Sequence, residues 1–179
     1  QAVPTTPIRV PFLTRVLREQ LEPSAIVCVD AGNATKHFRS HWDTHYPSTF
    51  FVTDDFGCVG AAFPAAIGAK LAAPDRQGGA LAGDMGFACN MAELETCVRE
   101  RINVVVVVFN DQGLGNERAF QALRHGGRYF AVDYQNPDFA ELARVFGAHG
   151  ERVERPEEFG PALERSLSAG RPAVIDAAI

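Results

Sequence analysis

Two aspartates stand at the ends of hydrophobic runs in this chain of 179 residues. Asp84 closes the run in GALAGDMGF (79–87), and Asp111 closes the valine-rich run in NVVVVVFND (103–111). Glycines accompany both, Gly83 and Gly86 around the first, Gly113 and Gly115 after the second. Two close carboxylates repel each other and would repel a phosphate. Glycine-rich turns leading into helices are nevertheless what an anion site uses. A divalent cation between the acids resolves the conflict. Mg²⁺ prefers oxygen ligands in octahedral array and commonly takes one or two carboxylates plus substrate phosphates. The pair reads as a magnesium site holding a diphosphate. Turn or helix-capping acids are the other reading, because Gly–Asp turns are common.

Other chemistry-bearing residues are less directed. HFRSHWDTH spaces His37, His41 and His45 four apart, which on one helix lines a face as transition-metal ligands could. Pro47 ends the segment and no acidic or cysteine partner has matching spacing, so surface histidines or the lining of a substrate entrance compete with that reading. Arg118, Arg124 and Arg128 are either anion contacts or solvated charges. Glu117 can be a favourable charge in a helix first turn. The four cysteines, Cys28, Cys58, Cys89 and Cys97, form no C-x-x-C and sit in apolar surroundings, which reads as reduced core thiols of a cytoplasmic protein.

Composition bounds the rest. Hydrophobic residues make up 46% and charged residues 22%, and the formal net charge is −5. That balance fits one soluble domain and argues against nucleic acid or an anionic membrane as partner. No apolar run approaches the ~20 residues of a membrane span. No secretory leader is legible, although the chain starts at Gln1 and trimming would leave it so.

The elements that must position the acids alternate. SAIVCVD (24–30), TFFVTD (49–54), GGALAG (78–83), NVVVVVFND (103–111), GAHGERV (147–153) and PAVIDAAI (172–179) read as strands. Segments 9–21, 60–72, 91–102, 137–147 and 156–170 have helical patterns. The helix over 60–72 is apolar nearly all round and is expected to be buried. The stretch 126–136 lacks periodicity and reads as a loop, mobile and near a site. Alternating strands and helices predict an α/β fold, a doubly wound, mostly parallel sheet of about six strands with helices on both faces, in a single domain over 1–179. Ligands of such sheets bind beyond the carboxyl ends of the strands, where Asp84 and Asp111 lie one strand–helix–strand unit apart.

The stretch GDMGFACNMAELETCVRERINVVVVVFNDQGLGN (83–116) carries G-D-x-x-F, E-L-x-T-x-V-R and an apolar strand ending in N-[ND]-x-G. With VDAGN (29–33) and FGCVGAAFPAAIGAKLAAPDR (56–76) in order before it, the chain resembles the diphosphate-binding domain of the thiamine diphosphate-dependent enzyme superfamily. The phrasing is nearest to acetolactate synthase-like and sulfoacetaldehyde acetyltransferase-like proteins. The resemblance implies thiamine diphosphate and Mg²⁺ as cofactors. Asp84, Asp111 and the carbonyl of Gly113 would ligate the cation. Gly83, Met85, Gly86, Leu114, Gly115 and Asn33 would surround the diphosphate. Gly57, Cys58 and Val59 would meet the pyrimidine half, with Val59 as the apolar prop that bends the cofactor, and Glu117 would stand where some decarboxylases have a substrate-facing acid. Two residues depart from the pattern: Met85 replaces a glycine, and Asp111 replaces an asparagine, adding a negative charge.

The resemblance also implies what is missing. The glutamate that protonates the pyrimidine lies on a second domain of the family, and no glutamate here matches it. A separate pyrimidine-binding subunit is therefore expected, two of each chain forming a heterotetramer, as in sulfopyruvate decarboxylase-like enzymes. A fragment of a longer enzyme is the alternative. The implied reaction is decarboxylation of a small 2-oxo acid, followed by protonation of the enamine or its transfer to a second carbonyl. Rival readings are a non-catalytic interaction subunit, which Met85 would favour, and a generic nucleotide-binding domain, against which the lack of a G-x-x-x-x-G-K-[ST] loop weighs.

Overall fold

A computed structural model describes residues 4–53 and 56–179. Fourteen elements follow one another: α1 (Val10–Gln20), β1 (Ile26–Val29), α2 (Asn33–His41), β2 (Phe50–Val52), α3 (Ala62–Ala72), β3 (Gly78–Gly83), α4 (Asp84–Asn90), α5 (Glu93–Arg99), β4 (Val105–Asn110), α6 (Gly115–Arg124), α7 (Phe139–Val145), β5 (His149–Val153), α8 (Pro156–Ser168) and β6 (Ala173–Ala178). All six expected strands form; the last residue of the run 49–54, Asp54, lies outside the described residues. The strands make one sheet in the order β2-β1-β3-β4-β6-β5, and every pairing is parallel.

The valine run explains the centre of this sheet. A strand buried on both sides has no polar face, and β4 is buried at every position between β3 and β6. Val105, Val107 and Phe109 pack into one core layer with Leu13, Phe38 and Phe159; Val106 and Val108 pack into the other with Phe63, Phe87 and Phe139. α1, α2 and α8 thus cover one face, and α3, α4, α5 and α7 the other. The register pairs Gly83 with Phe109, so Asp84 and Asp111 emerge at one edge of adjacent strands.

Three expectations need correction, and the departure at Met85 gains an account. The helix over 60–72 is not buried all round: Ala62, Phe63 and Ala66 face the core, while Pro64, Ala65, Gly68 and Leu71 are exposed. Its apolar outer side marks a surface rather than an interior. Cys58 and Cys89 are exposed, and only Cys28 and Cys97 are core thiols. The stretch 126–136 is not loose, because its second half is hydrogen-bonded to the loop after β4. Finally, α4 starts directly at Asp84. Met85 is therefore helical and needs no positive φ; the left-handed residue is Gln112, at φ 54°, between Asp111 and Gly113.

Candidate functional site

Beyond the carboxyl ends of β1, β3 and β4 lies a cavity of about 410 Å³. Asn33, Gly57, Val59, Gly83, Asp84, Met85, Gly86, Asp111, Gly113, Leu114, Gly115 and Glu117 all line it, joined by Lys36 and Arg39 from α2. Cys58 stands outside the lining, exposed between Gly57 and Val59. Segments far apart in sequence, 31–39, 57–59, 83–86 and 109–117, thus converge on one space.

Asp84 is 2% exposed. A buried carboxylate requires donors, and this one has four. The Met85 N–H and the Tyr134 hydroxyl donate to Oδ1, both at 2.7 Å. The Asn136 amide donates to Oδ2 at 2.7 Å, and the Gly113 N–H at 3.3 Å. Asp111 is half-buried across the cavity wall. Burial, then the charge of Asp84, hold its carboxyl above the ordinary value of 3.8, while Arg118 pulls the other way. The same burial and the nearby acids keep the Tyr134 hydroxyl protonated well above its usual range.

The glycines leave room where side chains cannot go. A β-carbon on Gly115 would lie 2.5 Å from Asp111 Oδ2 and 3.2 Å from Asn33 Nδ2. On Gly113 it would meet the Val132 carbonyl at 2.7 Å. Gly57 holds φ +59° with nothing near its missing side chain, so backbone conformation is what it supplies. Opposite the acids, Lys36 Nζ donates to Asn116 Oδ1 at 3.0 Å, joining α2 to the start of α6. Hard oxygen donors, two mutually repelling carboxylates and the N-terminus of a ten-residue helix, α6, suit a divalent cation with a diphosphate.

Some residues behave differently from their reading. Glu117 is exposed at the rim. The α2 histidines form no metal cluster: among the described residues no group of three or more His, Cys, Asp or Glu side chains could hold an ion. His37 and His41 instead sit ring beside ring, with centroids 6.4 Å apart. Arg118 pairs with Asp133, and Arg128 donates to the His125 carbonyl at 3.2 Å.

Asp30 is a third acid of this kind, not singled out by the sequence pattern. It ends β1 as the other two acids end β3 and β4, and that shared position was the available signal. It is 1% exposed. Both its oxygens accept from the Gly60 N–H, at 3.1 and 2.9 Å, and one accepts from Ala31 at 3.0 Å. Burial raises its carboxyl above 3.8, opposed by N–H groups of Gly60, Ala31, Ala61 and Ala62. Asp30 thus ties the start of α3, and with it the 57–59 wall, to the sheet. Tyr134 and Asn136 also went unread, since neither follows a period.

Comparison with known proteins places the chain in a family. The sequence profile described as "Thiamine pyrophosphate enzyme, C-terminal TPP binding domain" matches residues 30–177. The chain is 37% identical over 155 residues to a sulfoacetaldehyde acetyltransferase of Castellaniella defragrans, covering 87% of this chain and 26% of that protein. It is 33% identical over 160 residues to a probable acetolactate synthase large subunit of Methanococcus aeolicus, covering 89% and 27%. Among solved structures, a thiamine diphosphate-dependent 4-hydroxybenzoylformate decarboxylase of Rhodococcus jostii superposes with a TM-score of 0.88 at 27% identity, covering 96% of this chain and 32% of that one. The chain spans roughly a quarter to a third of the length of these relatives.

Proposed function

Because the chain belongs to the thiamine pyrophosphate enzyme family, as its C-terminal cofactor-binding domain, we propose that it is the magnesium- and diphosphate-binding part of an enzyme that decarboxylates a small 2-oxo acid. The reaction ends with a proton or with transfer to a second carbonyl, as in acetolactate synthase-like carboligation. The observation that carries this reading is the convergence of Asp84, Asp111 and Gly113 on one cavity beside the start of α6.

In this reading the Asp84 and Asp111 carboxylates and the Gly113 carbonyl hold Mg²⁺. The backbone at Leu114 and Gly115, the Asn33 amide and the glycine-bounded space at Gly83 and Gly86 hold the diphosphate. Gly57 and Val59 face the pyrimidine half, and Cys58 links them from outside the lining. Bound there, thiamine diphosphate supplies the electron sink for loss of carbon dioxide. Glu117, at the rim, is this chain's candidate for an acid that faces substrate. The Met85 N–H already donates to Asp84, so Met85 helps the site by holding that carboxylate. Its ordinary helical backbone carries no strain that would speak for a non-catalytic chain.

The site needs a cover. Phe56 (93% exposed), next to the lining residue Gly57, and Val59 (51%) leave apolar surface beside the cavity, the signature of an interface. A pyrimidine-binding domain fits there and brings the glutamate that activates the cofactor, on a partner subunit in a heterotetramer or on a longer form of the same chain. Four free thiols support a reducing, cytoplasmic setting.

The test is equilibrium dialysis of thiamine diphosphate with and without Mg²⁺, followed by a panel of 2-oxo acids with and without a pyrimidine-binding partner. Mg²⁺-dependent retention, with turnover only in the mixture, is expected. Robust turnover by this chain alone would mean that the activating glutamate is already present in it.

A further inference from the structure

Residues 130–136 run as a strap along the loop between β4 and α6. The Leu114 N–H donates to the Val132 carbonyl at 2.8 Å, and the Tyr134 N–H to the Gln112 carbonyl at 3.2 Å. Gly113 and Asp133 face each other in an isolated antiparallel bridge. Only glycine at 113 lets the strap approach this closely, since a β-carbon would strike the Val132 carbonyl. Further along, Arg118 pairs with Asp133, and the Gln121 side chain bonds both backbone groups of Phe130, at 2.8 and 3.1 Å.

From this strap two side chains reach Asp84. Tyr134 takes Oδ1 and Asn136 takes Oδ2. The second amide hydrogen of Asn136 goes to Asn110 Oδ1 at 2.8 Å. Asn110 in turn donates to Asp176 Oδ1 at 2.9 Å, and Arg152 donates to Asp176 Oδ2 at 2.7 Å. Each amide in this chain is oriented by an acceptor that cannot donate. The line from Arg152 to Asp84 therefore fixes the Asn136 amide and, through it, the plane of the Asp84 carboxylate.

We infer that Tyr134 and Asn136 are positioning residues for the cation site, setting the Asp84 carboxylate against Asp111 and the Gly113 carbonyl. The inference rests on the proposed reading of those three as ligands. Asp84 and Asp111 stand at two different strand–helix junctions, and an aspartate alone can turn about its side-chain bonds. Mg²⁺ demands near-ideal octahedral geometry, so ligands from separate junctions need a third piece to set their angle. The strap is that piece, because it bonds the loop carrying Asp111 and Gly113 through its backbone and Asp84 through its side chains. Hydrogen bonds to ligating carboxylates typically govern metal affinity by about 10- to 100-fold.

The experiment uses the whole chain with Tyr134→Phe, which keeps the ring, and Asn136→Ser, which keeps a donor but cannot span both acceptors. Retention of thiamine diphosphate is measured by equilibrium dialysis across a Mg²⁺ titration, with circular dichroism verifying the fold. Each variant is expected to raise the half-saturating Mg²⁺ concentration about 10-fold. Excess Mg²⁺ is expected to restore retention to the parental level, which damage to the fold alone would not allow. Folded variants with the parental Mg²⁺ dependence, or a loss that excess Mg²⁺ does not restore, would overturn the inference. The parent and Asp84→Ala separate the two levels. A parent with no Mg²⁺-dependent retention removes the proposed function and this inference with it. A parent that retains cofactor, with Asp84→Ala inactive in the assay and both strap variants normal, removes the inference alone.

Discussion

The Asp30 carboxylate lies directly over Gly86, so close that a β-carbon on Gly86 would overlap Oδ2. The same carboxylate holds the Gly60 N–H at the start of α3. One glycine thus lets two junctions of the cavity wall meet. Gly86→Ala is expected to cost about 1–3 kcal/mol through overpacking of a tight site, read from chemical unfolding. Gly83→Ala is the control: no atom lies within 4 Å of its missing side chain. It is expected to leave stability near the parental value while crowding the cavity, so that cofactor retention falls without a matching loss of stability.

Asp84→Ala removes a carboxylate that four donors address, and leaves the Tyr134 hydroxyl, the Asn136 amide and two backbone N–H groups without it. Mg²⁺-dependent retention of thiamine diphosphate is expected to vanish, and stability to fall by about 1–3 kcal/mol for the donors left unpaired. Asp111→Asn keeps an oxygen ligand and removes the charge that burial and Asp84 both oppose. A milder loss of cation affinity is expected. If Asp84→Ala retains cofactor as the parent does, Asp84 is not a ligand.

Val59 is 51% exposed on the cavity wall. Val59→Ala forfeits little core packing, so the unfolding midpoint is expected to stay put. With a pyrimidine-binding partner present, turnover is expected to slow while diphosphate affinity holds, because the side chain props rather than binds. Steady-state kinetics beside cofactor titration makes the distinction, and a large affinity loss at normal turnover contradicts the role.

The thiols separate by burial. Burial pushes the Cys28 thiol up to about 11, and burial with the Glu93 charge pushes Cys97 up to about 12, both from an ordinary 9.0. A raised thiol stays protonated in the folded chain after it would ionise in the unfolded one. Its stabilising contribution is full below pH 9.0 and is lost as pH rises through about 11 to 12. Stability is expected to decline over that alkaline window, as followed by unfolding at stepped pH. At neutral pH a thiol-specific disulfide reagent is expected to modify Cys58 and Cys89 in the native protein, and Cys28 and Cys97 only after unfolding.

The sheet was legible where composition and pairing say the same thing. Five consecutive valines suit only a strand covered on both sides, and β4 occupies that place. Asp84 and Asp111 were legible because an acid beside glycines at the end of an apolar run is costly without a purpose. α4 was not legible, since Gly86, Cys89 and Asn90 give it poor propensity. It forms because Phe87 packs between Phe63 and Phe139, with ring centroids 5.6 and 5.4 Å away. Tyr134 and Asn136 were hidden for another reason: their partner Asp84 lies 50 and 52 residues back, and no local pattern encodes such a contact. The exposed side of α3 misled because its small apolar residues look alike whether they face a core or another surface.

The strand order also sets a timetable for synthesis. β5 touches the sheet only through β6, and β6 fills the gap beside β4. A ribosome delivers chain from the N-terminus at about 5–20 residues per second, so β4 emerges with one edge open and β5 emerges with no neighbour to join. Asp176, which anchors Asn110, arrives on that same late strand. The far end of the hydrogen-bonded line that reaches Asp84 is therefore completed only when β6 has left the exit tunnel, and a nascent chain stalled before Ala173 holds an unfinished sheet.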